Sequence, residues 1–538
     1  MIRASVISVA LLAALPAAAE EVRFEPVDVP EHVYTGGWEH FVGGGLAVWD
    51  CDGDGLPEML AAGGANPATL LRNRSAPGAI RLEAEPVPAL EGVTGTTGAY
   101  PLDLDADGVR DLFVMRAGQN LMLRGGPDCA LTEVPGLPVS RAWTTAFTAW
   151  WEPNSDRPSL AIGNYVDRDD PEGPFGTCDD NVILRPLAIG AGETLGTLRN
   201  DAADDTIHVA MPGDAPLFLP EPLAPGHCAL SMLAARDARD RPTLRISNDR
   251  HYYVRGGAEQ MWDIAERRFL GPEDGWDAPS LWGMGIASRD ITGDGIAEVM
   301  LTSMGDQLLT LPVDGRYENA PYEVGTYATT PHVGGDGRPS TGWHAEWGDV
   351  DNDGFDDLFI VKGNVDQMPG MAMEDPNNLL LADPPPGGEA RGLRFVEVAA
   401  EAGVASPHRG RGGALADLDG DGGLDMVVVN RRAPMEVWRN AGRLEGFIAV
   451  EPFDPSAPNA FALGAILRLG DGEVREVTVG GGHAGGQAGP HHFGIRADPD
   501  VAVTVEWPDG AISGPVRLPA GFRGRLVRDG DGLRPEPY

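Results

Sequence analysis

The chain has 538 residues, with 81 acidic side chains against 41 lysines and arginines and a formal net charge of −40. A chain of this length can form two or more domains or one large repeat architecture. The charge excludes nucleic acid as an expected partner, because no basic patch offsets the repulsion from phosphates, and it favours cations as ligands.

The N-terminal stretch MIRASVISVALLAALPAAAE has the features of a secretory signal peptide. Arg3 precedes an apolar run that ends in small residues at Ala17, Ala18 and Ala19. This predicts a signal peptide at residues 1–19 and a protein exported to the periplasm or the extracellular space. No later stretch reaches the apolar length of a membrane helix, so we expect no membrane span.

An acidic nonapeptide of the pattern D-x-[DT]-x-D-G-x-x-[DE] recurs five times. The copies, named the first to fifth acidic loops, span residues 50–58, 103–111, 290–298, 349–357 and 417–425. Each lies between two strand-like apolar runs, and several units continue into a third and a fourth run. Four strands per unit, at intervals of roughly fifty residues or more, are typical of β-propeller blades.

Two further units keep the strands but lack the acidic residues. The segments 156–162 and 240–246 share D-R-P-[ST]-L-x-I and carry Ser159 and Thr243 where the other units have Asp or Glu. Counting both gives seven units, which predicts an all-β fold with a seven-bladed β-propeller over residues 20–442. The N-terminal stretch RFEPV matches RFVEV of the last units, so we expect it to complete the last blade and close the ring.

The acidic loops have the ligand spacing of an EF-hand loop without its second helix. Side chains at positions one, three, five and nine and the carbonyl at position seven can wrap one hard cation, while Gly at position six takes a left-handed turn. Position twelve is a strand residue such as Val114 or Ile360, not a bidentate Glu. The predicted metal ligands are Asp50, Asp52, Asp54, Leu56, Glu58, Asp103, Asp105, Asp107, Val109, Asp111, Asp290, Thr292, Asp294, Ile296, Glu298, Asp349, Asp351, Asp353, Phe355, Asp357, Asp417, Asp419, Asp421, Gly423 and Asp425.

Calcium is favoured over magnesium, because a flexible oxygen-rich loop suits a high coordination number and magnesium dehydrates reluctantly. Up to five structural Ca²⁺ ions are therefore predicted, with dissociation constants of about 10⁻⁴ to 10⁻³ M. Two alternatives are that the loops are solvated turns that bind nothing, or that they hold a catalytic carboxylate pair. The second is disfavoured, since an acid and a base should come from dissimilar environments.

Four cysteines in an exported chain predict disulfides rather than a zinc site. Cys178 and Cys228 bracket one long insertion, so this bridge is favoured, with Cys51 to Cys129 second among the three possible connectivities.

The segment 247–253 gathers Asp249, Arg250, His251 and two tyrosines directly after a strand. It is a candidate binding or catalytic cluster, although a buried polar network at a blade edge is the favoured interpretation.

Two other segments contain potential metal ligands. His491 and His492 are adjacent, but neighbouring residues on a strand point to opposite faces, so structural packing is favoured over a shared ion. The methionines of 363–378 could attract copper, but a surface loop rich in Pro and Gly is the favoured interpretation.

Residues 443–538 contain short alternating strands, FIAVEP, AILRLG, EVTVGGG, VAVTVEW and RLVRDG, which predict a small β-sandwich-like domain. The acidic loops with their flanking strands resemble FG-GAP/VCBS repeats, the calcium-binding blades also found in integrin alpha chains. Residues 464–510, which end in WPDG, are similar to the ASPIC/UnbV domain. Together with the signal peptide, these features resemble the cartilage acidic protein family, which includes many bacterial members. The resemblance implies a calcium-binding extracytoplasmic protein that acts in adhesion or interaction.

The first functional hypothesis is an exported, monomeric, non-catalytic calcium-binding propeller that binds a protein or glycan partner. The alternative is an extracytoplasmic enzyme with its site in the propeller channel near His251. The sequence has no G-x-S-x-G elbow, HExxH or phosphate loop, which favours binding.

Overall fold

The computed structural model describes residues 22–187, 217–250, 256–383, 394–442, 446–470, 472–496 and 498–538. The predicted signal peptide at residues 1–19 and His251 lie outside the described residues. The described part of the chain is almost entirely β-structure, as the repeat pattern predicts, and its one α-helix, α1 (Ala399–Ala402), has a single turn.

Strand β1 comprises Phe24–Pro26. Sheet 1 contains β2 (Leu46–Trp49), β3 (Glu58–Ala61), β4 (Thr69–Asn73) and β5 (Leu82–Glu85). Sheet 2 contains β6 (Thr96–Leu102), β7 (Asp111–Arg116), β8 (Leu121–Gly125) and β9 (Leu131–Val134). Sheet 3 contains β10 (Thr144–Trp150), β11 (Ser159–Asn164), β12 (Asn181–Pro186) and β13 (Phe218–Leu223). Sheet 4 contains β14 (Ala229–Arg236), β15 (Pro242–Asn248), β16 (Gln260–Asp263) and β17 (Arg268–Phe269).

Sheet 5 contains β18 (Gly283–Arg289), β19 (Glu298–Ser303), β20 (Leu308–Val313) and β21 (Arg316–Asn319). Sheet 6 contains β22 (Gly342–Gly348), β23 (Asp357–Lys362), β24 (Asn378–Ala382) and β25 (Phe395–Glu397). Sheet 7 contains β26 (Gly410–Ala416), β27 (Asp425–Asn430) and β28 (Glu436–Asn440), and β1 is its fourth strand. Short 3₁₀ turns occur at Trp38–His40, Pro88–Leu90, Pro127–Cys129, Gly173–Phe175, Pro272–Asp274 and Tyr322–Val324.

Sheets 1 to 7 are antiparallel meanders arranged side by side in chain order. The first strand of each sheet contacts the first strand of the next, and β26 of sheet 7 contacts β2 of sheet 1. Phe24 in β1 pairs with Asn440 in β28, the pairing that the RFEPV match predicts. This arrangement of four-stranded sheets is consistent with a β-propeller.

Hydrophobic side chains fill the space between neighbouring sheets. Separate buried clusters lie between sheets 1 and 2, 2 and 3, 3 and 4, 4 and 5, 5 and 6, 6 and 7, and 7 and 1. Each sheet therefore buries both of its faces, which explains why the strands are continuous apolar runs instead of alternating with polar residues. The first strands lie nearest the axis and are rich in Gly and Ala.

The C-terminal region, residues 446–538, forms two further four-stranded sheets. Sheet 8 contains β29 (Gly446–Phe453), β33 (His491–Arg496), β36 (Phe522–Asp529) and β37 (Gly532–Pro537). Sheet 9 contains β30 (Ile466–Leu469), β31 (Val474–Glu476), β34 (Asp500–Glu506) and β35 (Ile512–Pro519). Side chains of both sheets, among them Val450, Phe493, Leu467 and Val505, form one buried cluster.

The glycine-rich segment 479–488, which we name the axial segment, does not follow the sequence prediction. EVTVGGG was expected to be a strand of the C-terminal sheets, but its last residues enter the axis of the ring. Val479 bridges to β10, Gly480 to β14, Gly482 to β18 and Gly485 to β6. The strand β32 (Gly486–Ala488) then adds to sheet 1 in parallel with β2. The axial segment thus fills the space in which the channel of the enzyme alternative was expected.

Both favoured disulfides are present. Cys178 is bonded to Cys228, and Cys51 in the first acidic loop is bonded to Cys129 beside sheet 2. Disulfides persist in oxidising compartments, so this pairing agrees with an extracytoplasmic location.

Candidate metal centres

The five acidic loops occupy equivalent places in the ring. Each joins the first strand of its sheet to the second, in sheets 1, 2, 5, 6 and 7. Because the sheets are arranged side by side in the same orientation, all five loops open at one end of the ring, which we name the loop end. The predicted ligands are thereby brought into five separate local groups.

One hydrogen-bond frame recurs in all five loops. The carboxylate at position one accepts the backbone N–H of position six, for example Gly55 to Asp50 at 2.9 Å and Gly354 to Asp349 at 2.7 Å. The carboxylate at position five accepts the N–H of position seven in each loop, at 2.8–2.9 Å. The position-six glycines have φ between 79° and 92°, which an L-residue adopts only with strain.

The acid at position nine fastens each loop to its sheet, a role that the sequence did not reveal. In the fifth loop, Asp425 Oδ2 accepts the N–H of Leu418 at 2.9 Å and Oδ1 accepts that of Asn440 at 2.8 Å. The carboxylates of Asp111 and Asp357 make the same pair of bonds in their loops. A constant acid at the start of the second strand is the signal that could have indicated this role.

Four of the loops bring three carboxylates together. One oxygen from each of three acidic side chains lies within 4.8 Å of the others in the first, second, fourth and fifth loops. The groups are Asp50, Asp52 and Glu58; Asp103, Asp105 and Asp111; Asp349, Asp351 and Asp353; and Asp417, Asp419 and Asp425. Convergent oxygens at this separation fit a hard divalent cation.

Unpartnered buried oxygens support this fit. Asp419 is fully buried, yet its Oδ2 has no hydrogen-bond partner among the described residues, and the same holds for the buried Oδ1 of Asp105. An unpartnered carboxylate oxygen inside a protein is unfavourable unless a cation or a proton neutralises it. The residues present therefore suit a bound cation.

The pKa values of the loop carboxylates also favour a bound cation. Burial raises the pKa of Asp103 and Asp417 to about 6 and that of Glu58 and Asp111 to about 7. Burial, with repulsion from neighbouring aspartates, raises the pKa of Asp349 well above its usual value. Carboxylates that resist ionisation in the ion-free loop gain most from a cation, which restores the charged form.

The third acidic loop departs from the others. Thr292 stands at position three, and its hydroxyl donates to Glu298 Oε1 at 3.0 Å instead of leaving that oxygen to an ion. No three carboxylates of this loop meet within the described structure at the separation found in the other four. Its backbone frame is retained, so it is the weakest of the five candidate sites.

Arginines form ion pairs with acids of the first, second and fifth loops. Arg72 is buried beside the first loop and donates from Nη2 to Asp52 at 2.7 Å. Arg124 forms an ion pair with Asp105 and lies 3.3 Å from Asp107 in the second loop. These guanidiniums offset part of the local negative charge.

The two degenerate units keep the connection between the first and second strands but have no carboxylate at the start of the second strand. Ser159 pairs with Trp150 in the register in which Glu58 pairs with Trp49, whereas Thr243 pairs with Ala235 across a connection that is one residue shorter. The Ser159 hydroxyl donates to Glu152 at 3.3 Å and that of Thr243 to the Ala235 carbonyl at 3.0 Å. Neither unit contributes to a carboxylate group in the described residues.

Asp249 and Arg250, candidates for a catalytic cluster, are buried. The Tyr165 hydroxyl donates to Asp249 Oδ2, and Arg250 donates to the Gly176 carbonyl at 3.2 Å. Their geometry is that of the buried polar network that the sequence favoured.

The remaining candidate ligands serve packing. His492 is buried, stacks on Phe447 with ring centroids 5.6 Å apart, and donates from Nε2 to the Gly422 carbonyl at 3.1 Å. His491 lies beside it on β33, lining a cavity of about 240 Å³ between the ring and the C-terminal region. In the 363–378 loop, Met368 and Met371 are half-buried and Met373 is exposed.

Comparison with known proteins identifies two families within the chain. Residues 50–114 match the FG-GAP-like repeat and residues 455–527 match the family described as ASPIC and UnbV. The chain is 34% identical to cartilage acidic protein 1 of Mus musculus and of Homo sapiens over 112 residues, which is 19% of this chain and 17% of those relatives. The chain therefore carries an FG-GAP-like repeat and an ASPIC/UnbV region, which suggest a propeller of the binding or adhesion type.

Solved structures also show distant likeness. A crystal structure of BBS1N in complex with ARL6DN has a TM-score of 0.41 and 9% identity, covering 78% of this chain and 97% of the other. An Agrocybe aegerita lectin solved for recognition of non-reducing terminal N-acetylglucosamine has a TM-score of 0.28 and 14% identity, covering 71% of this chain and 73% of the other. At TM-scores below 0.5 these likenesses support no inference about this chain. Within its described part, no helix has the length and apolarity needed to cross a bilayer.

Proposed function

We propose that the protein is an exported, calcium-stabilised seven-bladed β-propeller that acts as a non-catalytic binding module. Sheets 1 to 7 are its blades, residues 20–442 form the propeller, and residues 443–538 form a β-sandwich-like domain whose axial segment inserts into the ring. The observation that carries the proposal is the recurrence of four convergent carboxylate groups on one hydrogen-bond frame at the loop end.

The ligands of each ion are the side chains at positions one, three, five and nine and the carbonyl at position seven of its loop. The first, second, fourth and fifth loops are the main sites, and the third is weaker because Thr292 replaces a carboxylate. Calcium is the favoured ion, since all donors are oxygens on a flexible loop and magnesium gives up its bound waters reluctantly. When bound, the ion supplies charge compensation that holds the first and second strands of a blade together.

A binding role is supported by the state of the axis and of the candidate cluster. The axial segment fills the centre of the ring, and Asp249 and Arg250 are buried. A protein or glycan partner would therefore contact outer loops or the end of the ring opposite the loop end.

Metal content and thermal melting test the calcium role. In equilibrium dialysis against excess calcium, we expect four bound ions per chain, one for each carboxylate group. Chelation should lower the Tm, and calcium should restore it better than magnesium, because the ion binds only the folded state.

Two matched variants test whether calcium stabilises the chain through an acidic loop. Asp419→Asn, at the unpartnered oxygen of the fifth loop, should remove one ion and lower the Tm only when calcium is present. Asp336→Asn, on an exposed turn next to its ion-pair partner Arg338, should change neither quantity. A chain that retains no calcium and melts alike with and without chelator would contradict the proposal.

A further inference from the structure

The C-terminal region lies directly on the fourth acidic loop. Arg475 is buried and donates from Nη2 to Asp356 Oδ1 at 3.1 Å, joining sheet 9 to this loop. Arg496 donates from Nε to the Asp353 carbonyl at 2.5 Å, and its guanidinium stacks 4.4 Å from the centre of the Phe355 ring. Arg475 and Arg496 thus contact the fourth loop at its position-eight acid, at a backbone carbonyl and at the Phe355 ring.

Gly494 in β33 marks the closest approach. A Cβ atom at this position would lie 1.9 Å from Asp349 Oδ2, the position-one carboxylate. A side chain there would also lie 2.8 Å from the Asn352 Cα, so the strand and the loop would have to separate. Glycine at 494 thus lets β33 cover the cation position of the fourth loop.

The fifth loop is covered by the same sheet. The Gly422 carbonyl accepts the His492 Nε2–H, and a Cβ on Gly422 would lie 2.0 Å from the Phe447 ring. Arg523 Nε lies 3.5 Å from Asp417 Oδ2.

The other three loops have open tips. Asp54 and Gly53 are exposed in the first loop, and Asp107 and Val109 in the second. Residues 293–296 of the third loop are all exposed. The C-terminal region also contacts the first two loops, through Arg523 and Tyr538 at Gly55 and through Glu451 at Arg110, but it leaves these tips exposed.

We propose that the C-terminal region gates calcium exchange at the fourth and fifth acidic loops, so that the protein holds two enclosed ions and two freely exchanging ones. This inference rests on the proposed calcium function and adds a division of the sites into two kinetic classes. An ion under β33 leaves only when sheet 8 lifts from the loops or when the loop itself opens. An ion in the first or second loop leaves directly to solvent.

The same contacts couple the ions to docking of the C-terminal region. Without cations, the docked C-terminal region encloses the clustered carboxylates of the fourth and fifth loops, which is unfavourable. If calcium binds more tightly to the docked form than to the undocked form, the difference in binding free energy stabilises docking by an equal amount. Calcium at the two enclosed loops should therefore tighten β33, and its removal should loosen it.

Calcium release into an excess of a fluorescent chelator measures the two classes in the full chain. We expect a fast phase of two equivalents and a slow phase of two equivalents that is at least about tenfold slower, a rate ratio that corresponds to about 1.4 kcal/mol in barrier. Asp419→Asn should remove one equivalent from the slow phase alone.

Gly494→Ala is the decisive variant, because its added methyl group must separate β33 from the Asp349 carboxylate and the Asn352 backbone, while every ligand keeps its chemical identity. It should transfer one equivalent from the slow to the fast phase. Gly489→Ala is the matched control, since a Cβ at Gly489 meets no atom within 4 Å, and it should leave both phases unchanged. If Gly494→Ala fails to fold, hydrogen–deuterium exchange of residues 491–496 in the natural chain replaces it, with faster exchange expected after chelation.

The outcomes separate the two proposals. Four equivalents released in one phase, or β33 exchange that does not respond to chelation, would overturn the gate while leaving calcium binding intact. No bound calcium at equilibrium would overturn both.

Discussion

The backbone N–H of His483, in the axial segment, donates a hydrogen bond to Nδ1 of His344 on the first strand of sheet 6, at 3.1 Å. His344 must therefore carry its proton on Nε2, which lies 3.2 Å from Glu346 Oε2. The Gly43 N–H donates to Nε2 of His483 at 3.2 Å. Each imidazole thus accepts a hydrogen bond from a backbone N–H group. These hydrogen bonds connect the C-terminal region to the centre of the ring.

Protonation of His483 should weaken the fold. Burial lowers the pKa of His483 to about 3, so the unfolded chain, with a pKa near its ordinary 6.5, binds the proton more tightly. The contribution of His483 to the free energy of unfolding is complete above pH 6.5 and is lost as the pH falls toward 3. Between these values the free energy of unfolding changes by at most about 1.4 kcal/mol per pH unit because of this group.

His483→Gln keeps an acceptor near Nε2 and removes the titration. Denaturant unfolding should be measured between about pH 7 and about pH 4, where a histidine of the unfolded chain becomes protonated. The free energy of unfolding should fall less steeply with pH in this variant than in the natural chain. Parallel pH profiles would contradict the assignment.

Gly98 on β6 should be essential for seating the axial segment. A Cβ at Gly98 would lie 1.6 Å from the Ala484 carbonyl oxygen, a clash with backbone that cannot relax by rotating a side chain. Gly98→Ala should lower the free energy of unfolding by roughly 1–3 kcal/mol or more, as overpacking does.

The control for this effect is Gly37→Ala, where a Cβ meets nothing within 4 Å. Chemical denaturation should leave Gly37→Ala close to the natural chain. Equal stability of the two variants would show that the axial segment can shift without loss.

Position nine and position five of an acidic loop should differ in their dependence on calcium. Asp425→Asn places an amide NH₂ against one of the two N–H groups that the carboxylate now accepts, so it should destabilise by roughly 1–3 kcal/mol even in chelator. Asp421→Asn retains an oxygen for the Gly423 N–H, so it should matter only with calcium present.

Melting curves of both variants with chelator and with calcium distinguish these roles. If Asp425→Asn melts like the natural chain in chelator, then its two backbone hydrogen bonds contribute little, and the acid acts only through an ion.

The disulfide between Cys51 and Cys129 should support the first calcium site. Cys51 is position two of the first loop, and its N–H donates to Glu58 Oε2 at 3.1 Å. Replacing both cysteines by alanine should lower the free energy of unfolding by about 2–4 kcal/mol and weaken one of the rapidly exchanging sites.

The bridge between Cys178 and Cys228 provides the comparison, because neither residue belongs to an acidic loop. Its double alanine variant should lose stability without losing calcium, as measured by titration calorimetry. Equal calcium binding in both double variants would argue against a role for the first bridge at the metal site.

Much of the architecture could be predicted because it is local and repeated. The nonapeptide gave five loops, the strands on either side, and the residues that converge in four of them. The strand patterns at Ser159 and Thr243 identified two further units in which the acidic residues are missing. The third loop shows the limit of this reasoning, since the consequence of Thr292 depends on where its hydroxyl bonds.

The sequence by itself determined the all-β repeat, the acidic loop chemistry, the pairing of β1 with the last sheet and the favoured disulfides, because each follows from neighbours in the chain or from one repeated pattern. Only the tertiary structure decided where the glycine-rich stretch of the C-terminal region lies and which loops it covers. Those contacts join residues such as Gly98 and Ala484, or Asp349 and Gly494, that are remote in sequence and marked only by glycine. Glycine permits a close approach but does not say to what, and the partner is fixed only when the sheets close around one axis.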